Sequence, residues 1–537
     1  MEDENEEFNI DEIIPKSYKT YKEYLDDIMD FLDTYKILFT HNRYNEDKEL
    51  IYAEKGVHSL INKEYEMLPK EFVNYFNSIK DYMKKNYKDS EIILEFLMDL
   101  STEELPKIQS KYEKEKNKII ELFPLPKELI NFITLSNKLT PNDKSGEYKI
   151  KDPTTNEWYE IKPKEQTNKY ISTSLMNQKK KYEIKLLGDS IINEANNKNI
   201  NTIVDVGCGI GYLTNYISIN SNLRVVGIEG NEDNTNKMML RINKIEQKNN
   251  KNLSKAEGYT AFLTSDIKPE EFRKIARLTD EKVILTGLHP CGDLTPTLMR
   301  MFKNLDEIKS LMFVGCCYNK LSENPFIFKL KNDEIIKQSF KYGFPMSDYL
   351  LTQNKIKFHL SNGYISCNPH PLSKTREDWY YAYKMSSYRN ALELFIHKYL
   401  PNDLEVHYIG QIRESYSKSF GIYLQKALIN IKKHSLNFNY NNKNYKPILN
   451  KWIDDFSSKN DVVKIGNEFY QSLNPFNEIV FECAIMIILQ ARISLILEAL
   501  IVSDRVLFLK QFCSYVSARR LFHPFISPRG ILIIANK

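Results

Sequence analysis

VDVGCGIGYLT, residues 204–214, is the stretch whose reading decides the fold of this chain. A short apolar strand, Thr202 to Val206, breaks into three alternating glycines, Gly207, Gly209 and Gly211, and a helix-compatible segment follows. Glycines at such a break let the backbone turn tightly and let a ligand approach where a Cβ would collide. A second apolar run, Arg224 to Ile228, ends at Glu229, 22 residues after Gly207. A carboxylate at the tip of the second strand suits the two hydroxyls of a ribose. Together these elements predict a nucleoside-cofactor site in a doubly wound α/β domain.

Glycine spacing selects the cofactor. A dinucleotide fingerprint needs G-x-G-x-x-G/A, but Tyr212 stands at the third position counted from Gly207, and Thr214 counted from Gly209. The pattern is D-x-G-x-G-x-G, with Asp205 two residues before the first glycine. An acid there suits an α-amino group, and no pyrophosphate has to approach. The expected cofactor is S-adenosylmethionine rather than NAD.

Composition bounds the rest. A chain of 537 residues has room for roughly two to four domain-sized units. Its 75 Lys and Arg nearly balance 71 Asp and Glu, so nucleic-acid affinity has to come from a local patch. Seven cysteines without a spaced framework suit a reducing compartment. The opening, MEDENEEFNIDEII, is acidic and unlike a secretory signal. Charges at Glu482, Arg492, Glu498, Asp504 and Arg505 interrupt the apolar region Ile479 to Leu509, which reads as buried helix rather than a membrane span. A cytoplasmic or nuclear protein is expected.

Residues 16–135 carry helical periodicity, for example Phe72, Tyr75, Phe76, Ile79 and Met83. A polar link, Thr140 to Glu147, and strand-like pieces around Trp158 to Ile161 follow. The segment Lys179 to Asn196 reads as an amphipathic helix. Strands are then expected near 202–206, 224–228, 259–264, 282–288 and 310–316, alternating with helices near 211–220, 233–248, 269–278 and 294–304. After Cys317 the alternation stops. Helices such as Trp379 to Tyr399 and Phe420 to Lys433 are joined by polar links, with 437–446 expected as a mobile loop. β character returns at the end in GILIIANK, 530–537. The expected fold is a mostly parallel, seven-stranded, Rossmann-like sheet with an all-helical N-terminal region (1–150). A cofactor-binding half (165–320) and a helical insertion (321–475) precede last strands that complete the sheet (476–537).

Two strand tips concentrate chemistry. The strand ending in LTGLHPCGDL presents His289, Cys291 and Asp293, and the one ending in FVGCCYNKL presents Cys316, Cys317, Tyr318 and Lys320. In a doubly wound sheet these strands are neighbours, so both tips should flank the cofactor's reactive end. His289 or Asp293 suits proton acceptance from a substrate hydroxyl or amine. Asp293 is equally placed to cap the helix beginning at Leu294. Tyr318 suits stacking on a planar substrate, and the cysteines also suit burial as small apolar residues. Zinc on His289, Cys291, Cys316 and Cys317 is chemically sensible. Adjacent strand residues point to opposite faces, however, so convergence of Cys316 and Cys317 is not expected and no metal site is assigned. No (D/N)PP(Y/F) tetrapeptide follows the fourth strand, which argues against methylation of a base amino nitrogen. The paired Pro-Cys and Thr-Cys of covalent cytosine chemistry are also missing, although Cys291 follows Pro290.

VDVGCGIGYLT, VVGIEGN, GLHPCGDLT, VGCCYNKLS and GFPMS (343–347) together resemble the methyltransferase-like protein 25 family, which includes proteins labelled as containing a ribosomal RNA adenine dimethylase domain. The resemblance extends to LPKEF (68–72), MNQKKKYEI (176–184), LIVSDRVLFL and SPRGILIIANK, and so covers most of the chain. Asn177 and Gln178 stand where that family tends to have Ser and Pro. More distantly, the strand tips are similar to those of a family of tRNA ribose methyltransferases, where His-Leu-Cys-Gly and Cys-Cys-His-His stand instead. The resemblance implies a class I S-adenosylmethionine-dependent methyltransferase. Asp205, Gly207, Gly209, Gly211, Glu229 and Asp266 are then expected to hold the cofactor, with His289, Asp293, Cys317 and Tyr318 facing the acceptor. RNA is the expected substrate, with a protein side chain as the alternative. A binding protein that holds the cofactor without catalysis is the reading from another class.

Overall fold

The computed structural model describes residues 13–39, 64–86, 90–114, 119–141, 149–151, 158–160, 178–249, 256–323, 342–352, 360, 376–400, 412, 414–434, 439–440, 443–473, 478–524 and 526–537. Most of the acidic opening, residues 142–147 of the polar link, Ile161 and Asn177 lie outside them.

The expected N-terminal periodicity resolves into α1 (Tyr21–Thr34), α2 (Lys70–Lys85), α3 (Ser90–Asp99), α4 (Leu105–Lys114), α5 (Ile119–Leu122) and α6 (Lys127–Leu139). The short strands β1 (Lys149–Lys151) and β2 (Trp158–Glu160) pair antiparallel. Alternation then begins: α7 (Gln178–Lys198), β3 (Thr202–Val206), α8 (Tyr212–Asn220), β4 (Arg224–Glu229), α9 (Glu232–Asn249), β5 (Ala256–Thr260), α10 (Pro269–Ile275), β6 (Val283–Cys291), α11 (Leu294–Asn304) and β7 (Ile308–Cys316). Pro269 opens α10, where its missing N–H costs nothing. Helices α12 (Asp348–Thr352), α13 (Arg376–Tyr399) and α14 (Phe420–His434) follow, then β8 (Asn439–Tyr440) and β9 (Lys443–Asn444). Helices α15 (Tyr445–Lys459), α16 (Val462–Leu473) and α17 (Glu478–Lys510) precede the last strands, β10 (Tyr515–Arg520) and β11 (Ile531–Asn536). The stretch expected as a mobile loop at 437–446 holds β8, β9 and the start of α15 in its described part.

The seven-stranded sheet has the order β10-β11-β7-β6-β3-β4-β5. Strands β3 to β7 run parallel, and β11 inserts antiparallel between β7 and β10. The order reverses at β3, which lies between β4 and β6, so the chain crosses from one half of the sheet to the other beside the glycine loop. Every residue of β3 and of β11 is buried, as strands covered on both faces must be. Ile203, Val225, Ile284, Met312, Val314, Leu532 and Ile534 form one core with Tyr182, Leu187 and Ile191 of α7 and Leu213 and Ile217 of α8.

By compactness the chain divides into two units. One joins residues 1–34, 138–373 and 494–537 and carries the large sheet. The other joins 35–137 with 374–493 and is mainly helical, with a core rich in aromatic side chains such as Tyr388, Phe395, Phe420, Tyr423 and Phe469. The segment Val480–Lys510 is long and apolar enough to cross a membrane, but 89% of its most apolar window is buried inside the protein.

Candidate functional site

The loop after β3 is built on three left-handed glycines, with φ of 71° at Gly207, 58° at Gly209 and 74° at Gly211. The amides of Gly207 and Cys208 both donate to the carbonyl of Ile228, at 2.8 and 3.2 Å, and so fasten the loop to β4. A Cβ on Gly211 would lie 2.1 Å from Met238 Cγ, whereas one on Gly209 would meet open space. Gly211 therefore permits close packing, and Gly209 leaves room above the loop. Glu229, at the tip of β4, accepts a hydrogen bond from Gly209 N at 2.9 Å through Oε2. Its Oε1 accepts from Asn231 N at 3.1 Å and Asn234 Nδ2 at 3.3 Å. These donors fix the carboxylate beside the loop.

Asp205 is buried at 1% exposure. Its Oδ2 accepts from Thr214 Oγ1 at 2.8 Å, while Oδ1 has no hydrogen-bond partner among the described residues. Burial pushes its pKa up to about 6, Thr214 pulls it down, and the charge of Glu229 adds to the rise. A buried acceptor without a donor, below an open glycine loop and near a fixed carboxylate, fits an ammonium group and a ribose. Asp266 is exposed in the turn after β5.

The tips of β6 and β7 meet as expected, with Cys291 opposite Cys316. From Leu288 to Cys291 the first strand takes three steps where its partner takes two, from Val314 to Cys316, so one residue is extra. That bulge contains His289 in the left-handed region, at φ 62°, where a non-glycine residue costs about 1–2 kcal/mol. The turn carries the imidazole to α7, where Nε2 lies 3.1 Å from Glu183 Oε1. Glu183 is 4% exposed. Burial raises its pKa, but His289 and Lys179 outweigh that and hold the carboxyl below its ordinary value. Nδ1 of His289 is buried without a hydrogen-bond partner among the described residues.

The expectation that Cys316 and Cys317 diverge is corrected here. Cys316 ends β7, but Cys317 has left the strand with φ 51°, and its side chain turns back toward Cys291. The sulfurs of Cys291, Cys316 and Cys317 lie 3.2 to 3.5 Å apart.

The remaining predicted residues take other positions. Asp293 precedes α11 without capping it through its side chain, and its Oδ1 accepts from Ser322 N at 2.9 Å. It thereby ties the tip of β6 to the chain leaving β7. Tyr318, expected on the acceptor face, is 3% exposed. The guanidinium groups of Arg505 and Arg529 each lie 5.3 Å from its ring centroid. Burial and the charge of Glu498 raise its pKa. The two halves of the site adjoin: a Cβ on Gly207 would stand 3.4 Å from Leu294 Cδ2, next to Asp293.

Glu183 and Arg505 were not singled out as site residues from sequence. For Glu183 a signal was present, because a carboxylate stands between Tyr182 and Ile184 on the apolar face of α7. For Arg505, charge within an apolar run was read only as evidence against a membrane span.

Residues 179–324 match the family model of a methyltransferase domain. Over 91 residues the chain is 38% identical to "Probable methyltransferase-like protein 25" of Homo sapiens, an alignment covering 17% of this chain and 14% of that protein. The Mus musculus protein of the same name is 37% identical over the same length, with the same coverage. The aligned part thus spans about one seventh of the curated relatives. Among solved structures, the plantazolicin methyltransferase BpumL in complex with SAH aligns at 16% identity, over 34% of this chain and 60% of that one, with a TM-score of 0.18. The fold assignment rests on strand order and the glycine loop. Residues 179–324 are similar to a methyltransferase domain, and 91 residues of the chain are similar to part of methyltransferase-like protein 25.

Proposed function

We propose that the chain is an S-adenosylmethionine-dependent methyltransferase acting at the tips of β6 and β7. The observation that carries this reading is the pairing of the left-handed glycine loop with two carboxylates: Glu229 fixed at its rim and Asp205 buried below it, its Oδ1 without a partner among the described residues. Asp205 would hold the amino acid's ammonium group, Glu229 the ribose, and Asp266 the adenine end. The cofactor supplies a methyl group already activated by its sulfonium. The protein's own work is to align the acceptor and manage its proton. His289, oriented by Glu183, is the group placed to accept that proton. Asp293 holds the tip in position.

RNA is the substrate class this reading favours. Lys180 Nζ and the Arg241 guanidinium lie 4.8 and 3.9 Å from the ring centre of Tyr212, the residue after Gly211, and Lys179 and Lys181 extend the cationic surface. A cationic cluster around an aromatic ring suits phosphates and an unstacked base. A protein side chain is the alternative acceptor, and an intracellular reducing compartment is the proposed location. Mass spectrometry of RNA nucleosides and peptide hydrolysates from cells with and without the protein tests the reading. A methylated nucleoside that disappears with the gene and returns with the wild-type chain supports RNA. A methylated peptide behaving so selects protein, and two unchanged profiles overturn the catalytic reading.

A further inference from the structure

We propose that Cys291, Cys316 and Cys317 form a zinc site with three thiolate ligands and an open fourth position. Their ligand atoms all lie within 4.8 Å of one another, and they are the set of three or more metal-ligating side chains so grouped among the described residues. Three features of the fold produce this convergence. The β6–β7 ladder sets Cys291 opposite Cys316, the bulge at His289 shifts the register that allows it, and the left-handed turn at Cys317 swings a third sulfur inward. Two of those positions place a non-glycine residue at positive φ, a cost a chain avoids unless surrounding structure requires it.

Geometry separates metal binding from disulfide formation. Tetrahedral zinc with Zn–S near 2.3 Å holds its sulfurs about 3.8 Å apart. The observed 3.2 to 3.5 Å reaches that with an outward shift of a few tenths of an ångström. A disulfide at about 2.05 Å would need the closest pair to approach by more than about 1 Å and would leave the third thiol without a role. Lys320 lies close by: a Cβ on Gly292 would stand 2.7 Å from its Cβ. A lysine at that position suits the net negative charge of one zinc ion with three thiolates. His289 is not a member of the sulfur cluster, and its Nε2 is engaged with Glu183. The fourth position therefore falls to water or to an acceptor atom, and Cys291 is exposed at the site's entrance. Three protein ligands with an open position are the arrangement of a reactive zinc rather than a closed structural one.

The test uses the full chain, purified under reducing conditions, supplied with zinc chloride and dialysed before elemental analysis. About one zinc per chain is expected, with X-ray absorption reporting about three sulfurs near 2.3 Å. Cys291→Ser and Cys317→Ser should each lower retained zinc at least about tenfold, while Cys513→Ser should retain it fully. Cys316 is buried and its variant can fail to fold, so exposed Cys291 carries the decisive substitution, with circular dichroism as the folding control. A folded wild-type chain with no zinc and freely titrating thiols would overturn the site. So would a quantitative Cys291–Cys317 disulfide in zinc-supplied protein, or full zinc retention by Cys291→Ser. Metal content is read without any methyl acceptor, so this outcome is independent of the methyl-transfer reading.

Discussion

Asp205 carries the most informative single atom in the cofactor region, because Oδ1 is buried without a donor among the described residues. Its pKa in the folded chain is about 6, against an ordinary 3.8. A raised carboxyl favours the protonated folded state, so this group's stabilisation is present below the ordinary value and is lost as pH rises through 6. An ammonium ligand requires the opposite form, the anion. Affinity for S-adenosylhomocysteine should therefore fall by about tenfold per pH unit below 6 in the wild-type chain and stay flat in Asp205→Asn, as titration calorimetry from pH 7.5 to 5 would measure. A pH-independent wild type would remove Asp205 from the ammonium site. The residues around it were legible because glycine and carboxylate at fixed spacing have few other uses. The convergence of Cys317 was not, because positive φ at a cysteine is imposed by tertiary contacts and leaves no local sign.

At the scale of elements, the strands were readable where they are fully buried. β3 was located to the residue, since apolar runs ending in glycine mark inner parallel strands. β5 was expected at 259–264 and lies at 256–260. Among the described residues it is an edge strand paired with β4, so its outward residues are polar: Glu257 engages Arg224 at 3.0 Å, and its carboxylate accepts from Tyr259. Ala261 makes the last hydrogen bond to β4, its N donating to Glu229 O at 2.8 Å, and the apolar-looking Phe262 beyond it is 80% exposed. β11 is the opposite case. It is buried throughout and holds β10 to β7. Deleting Gly530 to Lys537 should abolish cooperative melting of the sheet unit, although its glycine loop lies more than 300 residues earlier. A truncated chain that still melts in one sharp transition would show that β11 is dispensable.

Whole-molecule organisation was the least legible, because helical periodicity shows which face is buried but not which distant segment covers it. Residues 35–137 and 374–493 share a unit although a sheet-bearing segment separates them in sequence. Arg492 is one tie within that unit. At 4% exposure it donates to the carbonyls of Leu100 and Glu103 at 2.6 Å and also reaches Ser136 and Asn137. Arg492→Leu should lower stability by roughly 2–5 kcal/mol, because buried carbonyls lose their donors, and should lower the melting temperature measurably. An unchanged melting temperature would show that these hydrogen bonds are replaced by water.

The central claim, that the loop after β3 holds S-adenosylmethionine, is tested most directly by titration calorimetry of the full chain with S-adenosylhomocysteine. The wild-type chain should bind it while NAD and NADP give no heat. Glu229→Ala should bind more weakly by roughly 1.5–3 kcal/mol, since hydrogen bonds to the ribose and the anchor for Gly209 N are lost together. A folded wild-type chain that gives no heat with S-adenosylhomocysteine, or one that binds NAD instead, would contradict the account.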